Sequence, residues 1–182
     1  MEKPNQIQSN NIESIQKPEN DKEKYLHFGK FTRDCPQWIL DKVTTIDNSK
    51  INEEYVKKVL SAIIDEFDST KHEITSTNDI KISRFITAAD VLEKRQFSCG
   101  SLATVVASVL RNLQIPTKLI HGKYIRYNPN MRHAWNEVNI DGDDWKPVDI
   151  TLSKNEFELD EFHIKIFEAL DWEEFENKVD KF

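Results

Sequence analysis

One stretch constrains this chain more than any other. Ser98 can cap a helix running from 99 to 113, along which Leu102, Val105, Val106, Val109 and Leu113 recur at i, i+3, i+4 and i+7. Ala103 and Ala107 add small residues on other sides, so this helix is expected to be buried nearly all round. A surface helix would carry a polar face, so this one must lie inside a core, covered by the rest of the chain. Pro116 ends the connection, and three strand-like runs come next, over 117–127, 132–140 and 145–150. Asp141-Gly142 is a turn signal between the last two.

The 182 residues suit one domain with enough chain to bury a core. Residues 1–24 contain seven Asn or Gln and no aromatic, and read as a disordered arm, leaving 25–182 as the domain. Pro36 stands at the head of a short helix. Asn52 can cap a longer one to about residue 67, with Tyr55, Val59, Ile63 and Phe67 on one face. Thr87-Ala88-Ala89-Asp90 resembles a capping box opening a helix to residue 94. The net charge is −7, and residues 151–182 hold ten acidic against four basic residues. That tail, 156–182, is expected to be an acidic helical segment with Trp172, Phe175, Val179 and Phe182 on its packing side. No basic face is available for phosphates, which argues against nucleic acid as a partner. No apolar run approaches the ~20 residues needed to cross a bilayer. The first residues lack the apolar segment of a secretory signal, so the expected location is cytoplasmic.

Two cysteines cannot build a disulfide framework or a four-thiolate zinc site. One cysteine can be a nucleophile if a histidine and an acid reach it. Cys99 begins the apolar helix, where backbone N–H groups and the helix dipole favour a thiolate. Gly100 beside it would let a substrate backbone approach. His133 and Asp149 lie on two strands joined by the Asp141-Gly142 turn. A three-residue loop with a left-handed Gly142 pairs Asn139 with Asp143 and sets His133 opposite Asp149, on one face. A two-residue loop would put them on opposite faces, and the sequence allows both. Taken singly, each residue has a plain structural role: a small buried thiol, a satisfied strand histidine, an aspartate capping a turn. His27, His72, His121 and His163 show no metal-ligand spacing, and neither a metal nor a cofactor is expected.

Residues 87–151 resemble the transglutaminase-like superfamily, which shares a papain-like cysteine-hydrolase core. The pieces, in order, are Thr87-Ala88-Ala89-Asp90-Val91-Leu92, Ser98-Cys99-Gly100-Ser101-Leu102-Ala103, Leu110-Arg111-Asn112-Leu113-Gln114-Ile115-Pro116, His133-Ala134-Trp135-Asn136-Glu137-Val138 and Trp145-Lys146-Pro147-Val148-Asp149-Ile150-Thr151. The resemblance implies an α+β fold with the cysteine helix packed on an antiparallel sheet. It implies Cys99 as nucleophile, His133 as base and Asp149 as orienting acid. Trp135 and Trp145 match aromatic packing positions. Gln114 stands where the family usually has glycine; if the helix ends there in a left-handed residue, glutamine costs about 1 kcal/mol more than glycine. The first oxyanion donor would be the Cys99 backbone N–H. For the second, the family's upstream aromatic or amide leaves Trp38 and Gln96 as candidates. Gly100, Trp135 and Glu137 are expected to line the substrate cleft.

The activity so implied is acyl transfer on a peptide or glutamine-type amide through a cysteine thioester. Hydrolysis is favoured over crosslinking, since nothing marks a calcium loop. The glycanase branch of the superfamily carries paired zinc cysteines that this chain lacks. A rival of a different class is a catalytically silent module that binds a peptide or protein, with the tail lying across the cleft.

Overall fold

The computed structural model describes residues 21–68, 86–95, 97–142, 144–153 and 156–176. Helices α1 (Asp21–Lys24), α2 (Gln37–Thr44), α3 (Glu53–Asp68), α4 (Ala88–Lys94) and α5 (Cys99–Asn112) precede three strands. These are β1 (Thr117–Tyr124), β2 (Arg132–Asn139) and β3 (Trp145–Val148), followed by β4 (His163–Ala169) and a short α6 (Glu173–Glu176). The four strands form one antiparallel sheet in the order β3-β2-β1-β4.

The helix starts follow their caps. Asn52 Oδ1 accepts from the Tyr55 N–H at 2.9 Å, and Thr87 Oγ1 accepts from the Asp90 N–H at 3.2 Å. Ser98 and Ser101 close a reciprocal capping box at the head of α5. Caps of this kind are worth about 1 kcal/mol each. Pro36 occupies the N-cap of α2.

Helix α5 is buried along most of its length, from Gly100 and Ser101 through Arg111. Val105, Val106, Val109 and Leu110 join Ile39, Val43, Val59, Ile63 and Val91 of α2, α3 and α4. Its other side meets the sheet: Ala103 and Ala107 cluster with Leu119 and Ala134, and Asn136 Nδ2 donates to the Ala103 carbonyl at 3.0 Å. Val138 and Val148 of the same sheet face join the helical core. Gln114 ends the connection at φ 60, in the left-handed region, at the position where the family usually has glycine.

Two expectations need correction. Residues 163–169 of the tail are not helical; they form β4, which pairs with β1 and makes a bulge between His121 and Gly122. Among the described residues, only 173–176 is helical thereafter. This part of the tail is also not a lid. Trp172 is fully buried, with its indole N–H donating to Thr104 Oγ1 at 2.8 Å. The buried Arg111 ties both flanks of the domain to α5, donating to Thr32 Oγ1 and to the carbonyls of Thr117 and Leu170. Asp171 completes the fastening by accepting the Phe31 and Thr32 N–H groups. The arm expected over 1–24 lies outside the described residues except for 21–24, which are helical. Val179 and Phe182 also lie outside them.

Candidate active site

His133 is the second residue of β2, and Asp149 directly follows β3. The β2–β3 register pairs Asn139 with Trp145 and Asn136 with Val148. This is two residues away from the expected pairing of Asn139 with Asp143. A slip of two keeps every side chain on its face. The loop is therefore longer than three residues, yet His133 and Asp149 still meet. Gly142 within it has φ 102, which favours glycine.

His133 Nε2 lies 2.5 Å from Asp149 Oδ2, with both side chains buried. Cys99, the half-buried first residue of α5, lies close enough to the same imidazole to raise its pKa. Burial alone would lower the His133 pKa. The Asp149 carboxylate and the Cys99 contact outweigh it and hold the imidazole at about 9. Cys99, Ala103, Ala134 and Asp149 line one small pocket.

Asp149 has both oxygens engaged. Oδ1 accepts the Thr151 N–H at 2.9 Å, the Leu152 N–H at 3.3 Å and the Thr151 hydroxyl. That is the turn-capping role expected of an aspartate before Ile-Thr. Oδ2 accepts from His133 and also from His163 Nε2 at 3.1 Å. Burial would push this carboxyl up; the two histidines and Thr151 hold it well below the usual carboxylate range. Both roles, cap and imidazole partner, fall on one side chain.

His163 is a site residue that sequence reasoning misses. It opens β4, and its Nδ1 lies 2.7 Å from Asp160 Oδ1. Tyr124 donates its hydroxyl to the other Asp160 oxygen at 3.1 Å. The Asp160–His163 spacing of three residues is a signal, but the acidic composition of the tail obscures it. The ligand atoms of His133, Asp149 and His163 lie within 4.8 Å of one another, which is metal-site spacing. Those atoms are instead spent on one another: the carboxylate takes five donors, and each Nε2 points at it. The donor set fits a hydrogen-bonded row better than a cation.

The remaining expected residues divide. Trp135 is buried, stacked on His133 at 6.0 Å and edge-on to His163 at 5.4 Å, and it lines the pocket. Its ring crosses Gly122 so closely that an added Cβ would come within 2.4 Å of it. Glu137 pairs with Lys165 of β4 at 2.7 Å. Trp145 packs edge-on against Tyr25 at 5.4 Å, and Lys118 Nζ lies 4.2 Å over its ring. Gly100 is buried rather than open to a substrate. Trp38 is 46% exposed, so it is not a core residue. It lies on α2 just beyond Cys35, whose thiol sits beside Ser108, nine residues along α5 from Cys99. That is ~13 Å at the helical rise. Gln96 lies outside the described residues. Burial pushes the Cys35 thiol up to about 11, with Ser108 offsetting part of the rise. Among the described residues no helix is long and apolar enough to cross a membrane.

The model of the transglutaminase-like superfamily matches residues 39–150, a span containing Cys99, His133 and Asp149. No curated protein matches the chain. A crystal structure from Cytophaga hutchinsonii, of a "putative cysteine protease", is similar with a TM-score of 0.60 and 20% identity. The similarity covers 85% of this chain and 49% of that one, so this chain spans about half the length of the Cytophaga protein. At this identity the likeness speaks for the fold. The family model covers well over half of the sequence and runs from α2 to the end of the His–Asp hairpin: the chain belongs to the transglutaminase-like superfamily.

Proposed function

We propose that the protein is a cysteine hydrolase that cleaves an amide of a peptide or protein through a thioester on Cys99. The observation that carries this reading is the double engagement of His133, with Asp149 at Nε2 and Cys99 on the same ring. With Nε2 committed to the carboxylate, Nδ1 is the nitrogen left for sulfur. The description of the Cytophaga protein points the same way.

The chemistry then runs in two halves. The Cys99 sulfur attacks the carbonyl carbon, and the C–N bond breaks as His133 gives its proton to the departing amine. His133 next takes a proton from water, whose oxygen attacks the thioester; the C–S bond breaks, releasing the acid and leaving the Cys99 thiolate beside a protonated His133. Asp149 fixes the imidazole tautomer and stabilises the imidazolium throughout. The Cys99 N–H supplies one oxyanion donor. Hydrolysis is preferred over transfer to an amine, which the same residues could also perform.

Alkylation tests this. With iodoacetamide at pH 7, Cys99 reacts at least ~100-fold faster than Cys35, whose thiol at about 11 is almost wholly protonated. His133→Ala slows labelling of Cys99 and leaves Cys35 unchanged. Equal sluggishness at both sites would favour the silent binding module.

A further inference from the structure

His163 faces a carboxylate from each side of its ring. Nδ1 meets Asp160 Oδ1 at 2.7 Å and Nε2 meets Asp149 Oδ2 at 3.1 Å. Ionised carboxylates only accept, so both ring nitrogens must donate, and an imidazole that donates twice is an imidazolium. Asp160 is itself held as an acceptor by the Tyr124 hydroxyl and the Phe162 N–H. The His163 ring is almost wholly buried, and its centroid lies 5.6 Å from that of His133.

From this geometry we infer that His163 is a positioning residue, a standing cation that shares the Asp149 carboxylate with His133 and moderates its pull on that imidazole. The inference rests on the acyl-transfer reading of the site. It adds a row of alternating charge: Asp160 minus, His163 plus, Asp149 minus, His133 plus, Cys99 minus in the reactive state. Oδ1 of Asp149 already has three donors of its own, so orientation does not depend on His163. What His163 adds is charge. An imidazolium beside His133 opposes its protonation and weakens its claim on Oδ2. His163 therefore lowers the pH at which His133 gives up its proton, and so makes that proton easier to hand to a leaving group.

The other groups around His163 fit this assignment. Tyr124, at 4.9 Å between ring centroids, donates its hydroxyl to Asp160. Trp135 from β2 is uncharged. Lys165, two residues along β4, is paired with Glu137 and Glu168. Arg126 from the β1–β2 loop lies over Phe162 and feels Asp160. Burial and the neighbouring His133 pull the His163 imidazole down, but its bonds to Asp149 and Asp160 outweigh both and raise it.

Histidine-labelled full-length protein followed by NMR through a pH titration tests the assignment without any substrate. In the native chain, His163 should titrate above the ordinary value of about 6.5. In His163→Gln, whose amide can still donate to Asp149, the His133 midpoint should move upward. Coulomb's law at 5.6 Å gives roughly 0.5 to 2 pH units. A His133 midpoint that stays put or falls overturns the proposal, even where the melting temperature drops, since a purely structural role would do only that. Should His163→Gln not fold, Asp160→Asn serves. It should lower the His163 midpoint by about a unit or more and raise that of His133 once His163 is neutral. An unmoved His163 midpoint there overturns the proposal as well. Selective labelling of Cys99 is a separate readout: its loss removes the acyl-transfer reading, whereas an unmoved His133 midpoint removes only the role of His163.

Discussion

Asp149 and His133 are not cross-strand partners, yet their side chains meet at 2.5 Å. The aspartate lies just beyond β3, at a position that on the continued ladder would fall opposite Trp135. The contact runs diagonally, two residues along the strand. It survives because side-chain facing depends on parity rather than on the pairing itself.

Asp149→Ala should therefore cost more than a catalytic contact. It strands the Thr151 and Leu152 N–H groups and leaves two buried imidazoles without their shared acceptor. Loss of such a buried charged acceptor costs about 3–5 kcal/mol. Urea unfolding would register this, and the folded fraction should alkylate at Cys99 at least ~10-fold more slowly.

Stability should fall between neutral pH and about pH 9. His133 has a folded value raised to about 9 against an unfolded value of about 6.5. A raised folded value means that the gain is complete below the unfolded value and is lost as pH climbs through the folded one. His163 is shifted in the same direction and adds to the slope. Asp149 has the opposite sign: its contribution is present above the unfolded value of about 4 and disappears as pH drops below it. A melting-temperature profile should show a plateau near about pH 5–6.5 and a decline above it. His133→Asn should flatten that decline.

Gln114→Gly should stabilise the chain. A side chain at φ 60 costs about 1 kcal/mol relative to glycine. The melting temperature should rise by roughly 2–4 °C, with no change in Cys99 labelling.

Gly122→Ala should do the reverse. The new methyl would come within 2.3 Å of the Ile164 carbonyl and 2.4 Å of the Trp135 ring, so β4 or the indole must move. Either shift disturbs the packing around His163. We expect a loss of at least ~2 kcal/mol by chemical denaturation, together with a changed His163 resonance.

Much of the fold is readable in the residues. Asn52, Thr87 and Ser98 mark helix starts because a short polar side chain can reach the free N–H groups, a local effect that owes little to tertiary context. Gln114 and Gly142 follow from backbone sterics in the same way. The facing of His133 and Asp149 depends on parity, which tolerates an error of two in register. The strand β4 is hidden because its apolar residues mislead. Ile164 and Ile166 are 43% and 42% exposed, while Phe167 and Ala169 turn inward after the bulge. A non-local pairing with β1 overrides the local acidic pattern. The partnership of His163 with Asp149 is lost to the sequence along with that strand.

The fastening of Trp172 to Thr104 and of Leu170 to Arg111 has a consequence for biosynthesis. Cys99, His133 and Asp149 leave the ribosome before β4 and Trp172 do. A nascent chain that stops short of residue 172 exposes one flank of α5, and one that stops short of residue 163 also offers Asp149 a single imidazole. Helix α5 is thus covered only once residue 172 has emerged, so products truncated before it should be poor folders rather than trimmed but native-like chains.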